Sequence, residues 1–141
     1  MGNDSKHNKK VLNELSKYFY PEGNLLKNKC YDFMGAEFDE YNTPTVHHIV
    51  RASTLREKNE SDKVTLDNAA ILGNISHEIL HDIEKFDKCL YDEWNDMFSR
   101  INASRRPFYD EFSEEISVLQ EKSRKALAEN EERKSSKRKG S

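Results

Sequence analysis

The chain has 141 residues and a net charge of −3, and it divides evenly between charged residues (35%) and the hydrophobic set (35%). That length holds one domain with a modest core and not two well-packed ones, and so many charges leave a small interior under a highly charged surface. The sign of the balance excludes a protein that holds nucleic acid by overall charge, so any such contact must come from local basic patches. No apolar run approaches the length of a signal or membrane segment, and Cys30 and Cys89 belong to no Cys-x-x-Cys pair. A cytoplasmic protein with reduced thiols is expected, without membrane contact, disulfide framework or zinc knuckle.

Val11, Leu12, Leu15, Tyr18 and Phe19 recur at helical spacing after the polar residues Asn3 to Asn8, and Pro21 and Gly23 end the pattern. This predicts an amphipathic helix of roughly three turns whose lysines, Lys9, Lys10 and Lys17, form a solvated face. Residues 25–41 are rich in aromatics and broken at Gly35, and Phe33, Met34 and Phe38 read as core packing. Thr43, Thr45 and Val46 then make a short β-prone run that ends in the adjacent pair His47 and His48. After a charged loop from Arg51 to Thr65, Asn68 opens a second apolar run, Ala69 to Leu72, which stops at Gly73. A helix follows near Asn74 or Ser76, with Ser76 suited to cap it.

Four of the five histidines fall between Thr45 and His81. On a helix His77 and His81 share one face about one turn apart, within reach of a single metal ion. From Ile79 the spacing continues through Leu80, Ile83, Phe86, Leu90, Trp94, Met97, Phe98 and Ile101. That series predicts one long helix, whose aromatic stripe is interior and not a base-stacking surface. Pro107 breaks it. Phe108, Phe112, Ile116, Leu119 and Leu127 predict a further helix that fades after Ala128. Beyond lie Arg133, Lys134, Lys137, Arg138 and Lys139 with no apolar anchor, a basic tail expected to be disordered.

Taken together, the pair His47 and His48, Asn68, and the helical pair His77 and His81 resemble the HNH, or ββα-metal, nuclease motif. The form is the His-pair variant similar to colicin-type nucleases, with His48, Asn68 and His77 as the signature letters. The resemblance covers roughly a quarter of the chain. It implies a mostly helical α+β fold in which a small ββα-metal core (27–104, with the long helix) lies between an N-terminal helical segment (1–26) and a C-terminal helix with its tail (105–141). It also implies a metal-dependent endonuclease that hydrolyses phosphodiester bonds in DNA. His47, His77 and His81 are then assigned to one divalent metal ion, His48 to the general base, and Asn68 to orienting that base. The residues alone support such a division, because neighbours on a regular strand point to opposite sides, but they do not say which of His47 and His48 does which.

An all-imidazole set favours Zn²⁺, Ni²⁺, Co²⁺ or Mn²⁺ over Mg²⁺, and the choice among Mg²⁺, Mn²⁺, Ni²⁺ and Zn²⁺ stays open. Asp67 and Asp82 stand near the motif as outer partners of the histidines or as solvated groups. Many HNH proteins hold the segment before the His pair with half of a structural zinc site. Here Cys30 is single, so Phe33, Met34 and Phe38 must hold it by packing.

Arg51, Arg56, Lys58 and Lys63 in the loop between the strands, and Arg105 and Arg106 after the long helix, are the candidate nucleic-acid contacts. Glu57, Glu60 and Asp62 dilute the loop's charge. DNA is the expected partner through the resemblance. The alternative is a catalytically silent HNH-fold module that binds nucleic acid or protein and acts with a partner. A third reading is a histidine cluster that only ties strand to helix. The helices permit a homodimer or a protein partner without requiring one.

Overall fold

A computed structural model of the protein describes residues 2–23, 25–49 and 66–140. Its elements run α1 (Gly2–Phe19), β1 (Pro44–His48), β2 (Ala69–Gly73), α2 (Asn74–Phe86), α3 (Lys88–Ser104) and α4 (Tyr109–Gly140). The fold class is mostly helical α+β, as the sequence predicts. β1 and β2 pair antiparallel in a two-stranded sheet, with Pro44 opposite Gly73 and His48 opposite Ala69. Every residue of β2 is buried, which is why it reads as an unbroken apolar run and not as an alternating one. Pro44 is tolerated because it opens an edge strand.

The core gathers around Phe33. Its ring meets Phe19 and Phe108 edge-on, with centroids 5.0 and 4.9 Å apart, and all three are buried. Met34 and Phe38 are buried beside it, so the segment before the sheet is held by packing. Trp94 and Phe98 are fully buried, and Trp94 Nε1 donates to Ser123 Oγ on α4 at 2.9 Å. The aromatic stripe is interior.

Three expectations need correction. The long helix is two helices. Asp87 leaves helical geometry (φ −145°, ψ 80°), its N–H closes α2 on the Ile83 carbonyl, and its carboxylate accepts from Leu90 N to start α3. The apolar spacing runs through this break because both helices turn the same side to the core. The basic tail is not a disordered segment, since α4 continues to Gly140. No glycine or proline lies between Phe108 and Lys139, and the stretch is rich in Ala, Leu, Glu, Lys and Arg, all good helix formers. Ser76 is not the cap: α2 begins at Asn74 after Gly73, which makes no side-chain cap bond, and Ser76 is buried within the first turn.

The cap comes instead from a distant side chain. Asn42 Oδ1 accepts from Ile75 N at 3.0 Å and from Ser76 N at 3.5 Å. Asn42 Nδ2 donates to the Glu37 carbonyl at 3.1 Å and to Asp32 Oδ2 at 3.5 Å. Asp32 is itself fully buried and accepts from Met34 N and Ala36 N through Oδ1 and from Gly73 N through Oδ2. A side chain on Gly73 would collide with Asn42, so glycine is required there by close approach. Asn42→Ala strands two donors at the start of α2 and should lower stability by about 2–3 kcal/mol. Gly73→Ala, which pushes Asn42 aside, should cost a similar amount. Urea titration followed by circular dichroism measures both, and a loss within the scatter of ordinary surface variants would show that α2 does not depend on this cap.

Candidate metal centre

β1 ends in His47 and His48, each paired across the sheet with an alanine, Ala70 and Ala69. The first turns of α2 bring up His77 and His81, one turn apart on the same face, with ring centroids 4.8 Å apart. His47 meets them edge-on at 5.3 and 5.8 Å. One nitrogen from each of the three rings lies within 4.8 Å of the others. The trio runs from the interior outwards. His47 is 2% exposed, under Tyr91 and Phe98 of α3, His77 is half-buried, and His81 is exposed. With His48, Glu84 and Tyr91 they line a cleft of about 250 Å³.

Hydrogen bonds fix which nitrogen of each ring carries the proton. Thr45 Oγ1 donates its only hydrogen to the Leu72 carbonyl at 2.7 Å, so at 3.1 Å from His77 Nδ1 it must accept. His77 is therefore protonated on Nδ1 and keeps its lone pair on Nε2. His81 Nδ1 lies 3.2 Å from Glu84 Oε1, an acceptor, so Nδ1 is the donor there and Nε2 is the nitrogen a neutral ring offers. His47 Nε2 donates to Asn95 Oδ1 at 2.9 Å, leaving Nδ1. Each imidazole thus donates from one nitrogen to an outer partner and offers the other, the arrangement that orients histidine for a metal.

Burial lowers the pKa of both His47 and His77 to about 4, and the neighbouring imidazoles push in the same direction. For His47 the bond to Asn95 works against that shift. At neutral pH both rings are uncharged, as ligands must be. Nitrogens bound to a tetrahedral ion at 2.0–2.1 Å stand ~3.4 Å apart, so small ring rotations would close this trio on one ion. The donor set fits a single transition ion.

His48 shares the cleft with the three histidines. Asn68 is buried immediately before β2, and its carbonyl accepts from Ile49 N at 2.9 Å, which sets it across from the residue after His48. Arg105 and Arg106 stand apart from the cleft. Arg105 pairs with Asp67 at 2.7 Å and lies over the Tyr18 ring, while Arg106 grips Glu111. Arg51, Arg56, Lys58 and Lys63 lie outside the described residues. Asp67 and Asp82 face Arg105 and Lys85. The outer partners are instead Thr45, Glu84 and Asn95. Glu84, three residues after His81 on the same helical face, was accessible to sequence reasoning, whereas Asn95 is 48 residues from His47 and no spacing signals it.

Searches of family models, curated proteins and solved structures return no match to this chain. Among the described residues no helix is long and apolar enough to cross a membrane.

The lowered pKa values give the metal-free protein a definite acid response. Unfolded histidine titrates near 6.5, so between 6.5 and about 4 the unfolded chain binds more protons than the folded one. The stabilising contribution of His47 and His77 is complete above 6.5 and is lost as pH falls to about 4. Urea midpoints of EDTA-treated protein should drop across that window, and the drop should shrink in a His47→Gln, His77→Gln double variant. An equal drop in that variant would assign the acid response to other groups.

Proposed function

We propose that the protein is a metal-dependent HNH-type endonuclease that hydrolyses phosphodiester bonds in DNA. The observation that carries this reading is the convergence of His47 from the strand and His77 and His81 from the helix in one cleft that His48 also lines. His47, His77 and His81 would hold one divalent ion. When bound, the ion supplies positive charge to the phosphate and to the departing 3′ oxygen. His48 takes the proton of the attacking water, a task for which imidazole is well suited near neutral pH. Asn68 holds His48 in the orientation that lets it do so.

A second reading has specific support, that of a silent module of the same fold which binds a metal and a partner but does not cut. Beside the cleft runs a groove of about 390 Å³ that, among the described residues, is lined by Glu84, Asp92 and Asp96 with Lys88 as the basic residue. Arg105 and Arg106 are already held in ion pairs. Neither feature favours a polyanion.

Supercoiled plasmid separates the two. EDTA-stripped protein resupplied singly with Mg²⁺, Mn²⁺, Ni²⁺ or Zn²⁺ should nick or linearise it with at least one ion. His48→Ala should reduce cleavage by 10²-fold or more, an expected loss for a general base of about 10²–10⁴, while metal remains bound. Metal binding with intact plasmid under every ion would favour the silent module, and full cleavage by His48→Ala would remove His48 from the base role.

A further inference from the structure

Among the described residues, the hydrogen-bond partner of the buried His47 ring lies outside the strand–strand–helix unit that carries the four histidines. Thr45 and Glu84 serve His77 and His81 from within that unit. The partner of His47 comes from α3. Along that helix Leu90, Tyr91, Trp94, Met97, Phe98 and Ile101 are buried and apolar in their packing. Asn95, one turn after Tyr91, places its amide oxygen 2.9 Å from His47 Nε2. Tyr91 and Phe98 flank the same imidazole edge-on, at 6.2 and 5.9 Å between centroids.

We infer that Asn95 is a positioning residue of the metal centre, which holds His47 as the Nε2–H tautomer and so makes Nδ1 the nitrogen offered to the ion. The physical case rests on the inaccessibility of His47, which is 2% exposed. An exposed imidazole that loses its acceptor turns to water, but here the apolar rings on either side leave the N–H with no comparable alternative. The ring would then flip or exchange tautomers, and the three lone pairs would no longer point at a common place. Because α3 is a separate helix, divided from α2 at Asp87, the seating of α3 on the sheet becomes part of the metal centre. The inference rests on the metal reading proposed above.

The test uses the full chain, zinc as the probe, and two variants. Asn95→Leu keeps roughly the volume and removes the acceptor, and Asn95→Asp keeps an acceptor oxygen. Long-range ¹H–¹⁵N spectra of the His47 ring report its tautomer with and without zinc, and competition with a chromophoric chelator reports affinity. The wild type and Asn95→Asp should show Nε2–H and bind zinc through Nδ1. Asn95→Leu should show mixed tautomers and bind zinc 10–100-fold more weakly, the usual effect of losing an outer partner. Unchanged tautomer and affinity in Asn95→Leu, or zinc on Nε2 in the wild type, would overturn the inference. Should Asn95→Leu not fold, the wild-type and Asn95→Asp spectra decide it alone. A wild type that binds no zinc would overturn the metal reading itself, and the wild-type arm keeps that failure distinct from the others.

Discussion

The geometry of the histidines depends on a polar clamp that contains no histidine. Asp32 and Asn42 join three pieces of chain: the turn at 32–36, the end of β2 at Gly73, and the first turn of α2. Burial raises the Asp32 pKa despite bonds from Ser76 and from the Gly73, Ala36 and Met34 amides that favour the charged form. A group so fully enclosed is tolerated because its oxygens are so fully bonded. The clamp sets the angle at which α2 leaves the sheet. That angle decides whether two helical imidazoles meet one from the strand. Asn74 strengthens the same junction, since its amide donates to the Thr43 carbonyl and its side-chain oxygen accepts from Thr43 N at 2.6 Å.

The clamp and the histidines divide the physical work. Asp32 and Asn42 satisfy backbone donors that helix formation leaves bare, and so allow a helix to start without a cap of its own. His47 and His77 then occupy a place where their charged forms are disfavoured by burial and by the neighbouring imidazoles. In the metal-free protein this proximity contributes no attraction, and in acid it is a liability. Binding of an ion by neutral lone pairs would turn the same proximity into stability, by the full differential affinity of the folded chain.

Much of this was legible in the sequence, for identifiable reasons. Two short strands and a helix carrying histidines four apart are local patterns, and the structure has both. The break at Asp87 was hidden because Ile83, Phe86 and Leu90 keep helical spacing through it, although an aspartate three residues before Leu90 is a residue type suited to capping. Composition misled at the end of α4, where charge without apolar anchors suggested disorder but propensity and spaced pairs such as Glu131 with Lys134 agree with helix. The outer partners of the histidines were the least legible. Asp67 and Asp82 are near in sequence, whereas Thr45, Glu84 and Asn95 are near in space.

On the proposed reading, a centre for cleaving a polyanion adjoins a groove lined by Glu84, Asp92 and Asp96. Carboxylate ligands would make this worse, because each would cancel part of the ion's charge. Three neutral imidazoles cancel none, so an ion held by His47, His77 and His81 keeps its full double charge at the mouth of the cleft. Glu84 lines the cleft as well as the groove, so both signs act on an approaching phosphate. Without the ion the cleft offers a phosphate the uncharged rings of His47 and His77 and the Glu84 carboxylate. With it the balance at the cleft reverses while the groove along α3 stays negative. On the proposed reading, metal loading and phosphate binding would then be coupled through the field, and a bound strand would be directed off the α3 side.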